Sequence, residues 1–145
     1  MNYRQAYLDL QKKHQDELSN FPIAYAFNKQ QMEEALEKLG ATKEECVTIF
    51  GHGDIVKRTD AKAFIAMLER HTDEVLKAIQ DPDFAEAAFL YEMDNHEYAI
   101  NWSGDEDVMA CFNLDWDKLR EMGLQMAWYR AHDKHMEHAR EWEMI

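Results

Sequence analysis

The chain has 145 residues, 46% apolar and 12% aromatic, with five glycines and two prolines, enough for one compact core and too rich in apolar side chains for a disordered polypeptide. Its 29 acidic residues against 16 Lys and Arg leave a formal charge of −13, which argues against a direct role on nucleic acid or on an anionic lipid surface. The acidity is local: residues 78–117 contain no Lys or Arg and 11 of the acids, so this stretch supplies about −11 of the total.

Residues 1–5 lead directly into a polar amphipathic stretch without the apolar run of a signal peptide. No segment approaches roughly 20 consecutive apolar residues, and a cytosolic protein is the expectation. Tyr3, Tyr7, Leu10 and Leu18 recur at helical spacing and predict a first helix over 3–18. Residues 21–27 are aromatic and β-tending, with Pro22 suited to a strand start or edge. Asn28 followed by Gln31 opens a second helix that carries Met32, Ala35, Leu36 and Leu39 inward, and Gly40 is placed to end it. Residues 46–50 and 55–58 flank Gly51-His52-Gly53-Asp54 and predict a hairpin. Thr59 caps a long helix over 60–80 that Asp81-Pro82 stops.

Asp83 with Glu86 opens a short helix through Tyr91, apolar nearly all round and so buried on most sides. Residues 97–102 alternate as a further strand, and Ser103-Gly104-Asp105-Glu106 forms a turn and a capping box ahead of a helix to about Phe112. A last helix is expected from 116 to 140, with Trp116, Leu119, Met122, Met126 and Tyr129 at helical spacing. The order does not alternate as a doubly wound sheet does. The expectation is a single α+β domain over 1–145, a small, largely antiparallel sheet of about four short strands packed against five to six helices.

Residues 92–98 gather Glu92, Asp94, Glu97, His96, Asn95 and Tyr98 between the buried helix and the expected strand. A histidine beside carboxylates can act as a general base or join them around a divalent cation. The plainer account gives Asp94 and Asn95 to a turn and leaves the acids solvated. His132, His135 and His138 follow one another at i+3, a spacing that drifts around a helix, so no metal is assigned to them and a solvated helix end is expected. Gly51-His52-Gly53-Asp54 lacks a P-loop lysine and reads as a turn. Cys46 and Cys111 form no CxxC pair and are expected as reduced, buried thiols.

Phe21-Pro22-Ile23-Ala24-Tyr25-Ala26-Phe27-Asn28-Lys29-Gln30-Gln31, with Leu36-Glu37-Lys38-Leu39-Gly40, Ala61-Lys62-Ala63-Phe64, Phe89-Leu90-Tyr91-Glu92 and Asn95-His96-Glu97-Tyr98, resembles a family of small uncharacterised proteins of Gram-positive bacteria and their phages and mobile elements. The likeness covers roughly residues 15–102. It supplies no activity, but it implies a mobile-element setting, in which small acidic proteins often disable host defence nucleases.

Charge and resemblance together lead to an expected function: a non-enzymatic acidic module, such as an anti-CRISPR or other anti-defence inhibitor, that occupies a basic nucleic-acid-binding surface of another protein. The expected contact residues are Glu92, Asp94, Glu97, Asp105, Glu106, Asp107, Asp115 and Asp117, whose carboxylates can imitate strand phosphates. No cofactor is expected. The alternatives are a small metal-dependent or His/carboxylate hydrolase using His96 with Asp94 or Glu97, and a simple adaptor or oligomer subunit.

Overall fold

The computed structural model describes residues 1–96 and 104–142. Among them are seven helices and a three-stranded antiparallel sheet: α1 (Tyr3–Asn20), β1 (Ile23–Tyr25), α2 (Lys29–Leu39), β2 (Cys46–Val47), β3 (Asp54–Lys57), α3 (Arg58–Ala78), α4 (Pro82–Asn95), α5 (Gly104–Ala110), α6 (Trp116–Glu121) and α7 (Gln125–Glu141). The α+β class holds, with helices dominating and three strands where about four were expected. The strand expected over 97–102, and Ser103 of the expected capping box, lie outside the described residues.

The chain packs as two compact units, residues 14–70 and residues 1–13 with 71–145. The first is built on the sheet, in the order β1-β3-β2. Ile23 pairs with Val56 and Ala24 with Ile55, and alternation along the strands sends these pairs to opposite faces. Ile23 and Val56 pack with Phe64 and Met67 of α3 and with Leu18, whereas Ala24 and Ile55 pack with Ala35 and Leu39 of α2. Helix α2 starts and stops where the sequence predicts. Asn28 accepts a hydrogen bond from the Gln31 amide at 2.8 Å, and Gly40 adopts φ 64° and returns its N–H to Glu37 and Leu36.

The hairpin turn is held by a carboxylate. Asp54 is buried and accepts hydrogen bonds from the Thr48 hydroxyl at 3.0 Å and from the backbone amides of Ile49, Phe50 and His52 at 2.7, 3.1 and 3.2 Å. Burial alone would raise its pKa, but the four donors outweigh it and bring the value down to about 2. Gly53, at φ 84°, sits so close that an added Cβ would lie 2.7 Å from the Phe27 ring and 2.9 Å from the Ala26 carbonyl.

The second unit is assembled around α4. Asp81 caps this helix by accepting from the Asp83 amide at 3.0 Å, and Pro82 occupies its first turn; the Pro that stops α3 also starts α4. The helix runs on through Asn95, beyond the expected end at Tyr91, because Met93 belongs to the core and no breaker intervenes. Phe89 stacks edge-on against Phe112 and Trp128, with centroids 5.0 and 5.1 Å away, and Tyr7 lies 5.7 Å from Phe112. Edge-on pairs of this kind add about 0.5–1.5 kcal/mol each beyond their area. The expected last helix is two helices: Gly123 adopts φ 70°, ending α6 and turning the buried Leu124 inward before α7 begins. Helix α7 then packs along α4 more extensively than any other pair of elements.

Candidate functional site

Because α4 continues to Asn95, Glu92 and His96 stand one helical turn apart and meet. Glu92 is buried, and its two oxygens face different neighbours. Oε1 accepts from the Tyr7 hydroxyl at 2.7 Å and from the Gln11 side-chain amide at 3.0 Å, and Gln11 also donates to the Tyr7 oxygen at 2.7 Å. Burial, then the hydrogen bond to Glu92, holds the Tyr7 hydroxyl well above its ordinary pKa. Oε2 faces His96 Nε2 at 3.2 Å and Cys111 Sγ at 3.7 Å, and Sγ lies 3.5 Å from Nε2. One oxygen, one nitrogen and one sulfur thus converge, within 4.8 Å of one another.

Cys111 is an exposed residue past the end of α5 rather than the buried thiol that its apolar neighbours suggested. Val108, Met109 and Phe112 take the inward positions and leave it on the outer side, with its sulfur turned to Glu92. Burial of that sulfur and the adjacent Glu92 charge push its pKa up to about 12, so at neutral pH it is a thiol. A thiol is a poor nucleophile, and in a Cys–His–acid relay the two ring nitrogens serve different partners, whereas here Nε2 faces both. The arrangement is therefore unsuited to nucleophilic catalysis. Its mixed donors are the kind that hold a borderline or soft cation.

Asp94 does not join His96. It turns the other way and bridges two imidazoles of α7, with Oδ1 2.6 Å from His135 Nδ1 and Oδ2 3.0 Å from His138 Nδ1. His135 is fully buried, which corrects the expectation of a solvated histidine-bearing end. The third histidine, His132, lies 3.8 Å from Asp133 and close enough to Asp105 to influence it. Beside the bridge is a cavity of about 320 Å³ whose lining includes Arg4, Leu90, Tyr91, Asp94, His138 and Trp142.

The eight carboxylates expected on one outer face are thereby sorted. Glu92 is buried and Asp94 is committed to α7, so neither belongs to an open anionic face, and Glu97 lies outside the described residues. Asp105, Glu106 and Asp107 occupy the first turn of α5. Asp105 is half-buried, and burial is the main reason that its pKa is raised, with His132 opposing and Glu106 adding to the shift. Asp115 caps α6 by accepting from the Lys118 amide at 2.7 Å, and Asp117 lies 3.4 Å from Arg120. Glu86, in the same basic-free stretch, meets Lys134 of α7 at 3.2 Å. Part of the charge missing from residues 78–117 is thus returned in space by α6 and α7. Large apolar side chains are also exposed, Trp116 at the start of α6 at 40%, and Met126 and Tyr129 of α7 at 61% and 54%.

Gln11 was not singled out in the sequence, Tyr7 was read only as an apolar-face residue of α1, and His135 only as one of a solvated histidine series. The Glu92–His96 pair carried a signal, i+4 spacing, which becomes legible once the helix extends past Tyr91. Fold and site together define a small helical α+β protein with a carboxylate-centred polar cluster in a largely aromatic core. Residues 6–134 match a family of unknown function (DUF7659), and the chain belongs to that family. No curated protein and no solved structure matches it.

Proposed function

We propose that the protein is a non-enzymatic binding module that docks an acidic, aromatic-edged surface on a basic, nucleic-acid-binding surface of another protein, and inhibits it as an anti-defence protein would. The observation that carries this reading is the pairing of the acidic first turns of α5 and α6 with exposed Trp116, Met126 and Tyr129 in one stretch of chain. Aromatic residues and methionine are what protein interfaces favour at their centre, with charge at the rim. Helix α7 links the two parts: His132 influences Asp105, and Tyr129 and Met126 lie one and two turns upstream on the same helix. Helix N-termini already stabilise their first-turn acids, so the exposed apolar side chains, which no cap requires, are the stronger half of the argument.

The test is capture of proteins from a cell lysate on the immobilised chain at about 0.1 and 0.5 M salt, where the Debye length falls from about 10 Å to under half that. A nucleic-acid-processing protein retained at low salt, lost at high salt, and bound at least about tenfold more weakly, a loss of about 1.4 kcal/mol, by the Asp105→Lys/Glu106→Lys/Asp107→Lys and Tyr129→Ala variants supports the reading. Capture insensitive to salt and to both variants refutes it.

A further inference from the structure

The geometry points to a zinc-class metal site formed by Glu92 Oε2, His96 Nε2 and Cys111 Sγ, with a fourth position open on the exposed side of His96 and Cys111. A tetrahedral zinc ion with ordinary bonds, about 2.0 Å to oxygen, 2.05 Å to nitrogen and 2.3 Å to sulfur, separates its ligands by about 3.3 Å for oxygen to nitrogen, 3.5 Å for nitrogen to sulfur and 3.5 Å for sulfur to oxygen. The three atoms here stand 3.2, 3.5 and 3.7 Å apart in the same order. They already form one face of the coordination tetrahedron, and an ion seated on that face needs only small side-chain adjustments.

Two further features support a metal over a simple hydrogen-bond cluster. The first is the division of labour on Glu92: Tyr7 and Gln11 both donate to Oε1 and leave Oε2 for the site, which is how outer partners orient a ligating carboxylate. The second is the donor set, since sulfur with imidazole selects zinc-like ions over calcium and magnesium, which prefer oxygen alone. Binding requires the Cys111 S–H bond to break as the metal–sulfur bond forms, with the proton released to solvent and the thiol hydrogen bond to the Asp107 carbonyl, 3.5 Å away, given up, and it requires neutral His96 with its proton on Nδ1, so that the Nε2 lone pair meets the metal in place of Glu92 Oε2. The ion would clip α4 to the turn after α5.

The experiment is titration of the purified full chain with Zn²⁺ by calorimetry and with Co²⁺ by absorption spectroscopy. One ion per chain, tetrahedral cobalt bands and a thiolate-to-cobalt charge-transfer band are expected. Cys111→Ser removes that band and Cys46→Ser leaves it. His96→Ala and Cys111→Ser change exposed residues and so preserve the fold; each weakens binding by at least about 100-fold, while Tyr7→Phe, which deletes one outer hydrogen bond, costs about tenfold. Absence of stoichiometric binding, a thiolate band that survives Cys111→Ser, or binding lost with His138→Ala instead of His96→Ala overturns the assignment.

Discussion

Replacing Asp54 by asparagine keeps the size of the side chain and removes the charge that four donors share. Its folded pKa of about 2 stands against an ordinary value of 3.8, and each tenfold change in proton affinity is worth about 1.4 kcal/mol. The carboxylate therefore contributes about 2 kcal/mol at neutral pH. Because the folded pKa is depressed, this contribution is fully present above about pH 4 and is lost as pH falls through about 2, leaving roughly 1 kcal/mol at pH 2.5. Asp54→Asn should accordingly be about 2 kcal/mol less stable than the parent at pH 7, and the gap should shrink by more than half at pH 2.5. All four tryptophans lie outside residues 14–70, so their fluorescence does not directly report on the sheet; amide hydrogen exchange at Ile55 and Val56 does. Equal protection of parent and variant at pH 7, or a gap undiminished at pH 2.5, would show that the carboxylate charge does not hold the hairpin.

Two further pairs of substitutions test the fold. Gly53→Ala and Gly123→Ala both force a side chain into a positive-φ conformation, but only the former also meets Phe27 and the Ala26 carbonyl; thermal unfolding should show a loss of about 1–2 kcal/mol for Gly123→Ala and a distinctly larger one for Gly53→Ala, and the reverse order would contradict the hairpin geometry. His135→Ala removes a fully buried ring and one of the two partners of Asp94 and should cost about 2–4 kcal/mol in urea unfolding, whereas His138→Ala, half-exposed on the same carboxylate, should cost less than about 1 kcal/mol; equal losses would mean that burial does not separate them.

Local chemistry was legible in the sequence where it sufficed to decide the structure. The limits of α2 follow from Asn28 and Gly40, and the turn at 51–54 from its glycines, whereas α4, expected to be buried on most sides, buries Phe84, Ala85, Ala88, Phe89, Glu92 and Met93 and leaves its other residues half-buried or exposed. The division of the last helix was harder to see because Trp116, Leu119, Met122 and Met126 keep helical spacing across Gly123, and only the backbone conformation at that glycine shows the break. The polar cluster was illegible for a different reason. Glu92 meets Tyr7 across 85 positions and Cys111 across 19, and Asp94 meets His138 across 44; no periodicity encodes contacts that arise only when α1, α5 and α7 all pack on one helix. The acids were countable from sequence, but which of them point outward depends on that packing.

The bridge between Asp94 and His135 also bears on the order of events during synthesis. Helix α4 leaves the ribosome 41 residues before the imidazole that Asp94 will meet, an interval of about 2–8 s at roughly 5–20 residues per second. Throughout it, Phe89 and Met93 have no Trp128 to cover them, and the apolar face of α4 stands open. The first 23 residues to emerge in that interval, 95–117, carry six acids and no Lys or Arg, and their like charges repel one another and neighbouring acidic chains. The acidic stretch thus doubles as a built-in solubiliser for the half-made protein until α7 arrives and covers α4.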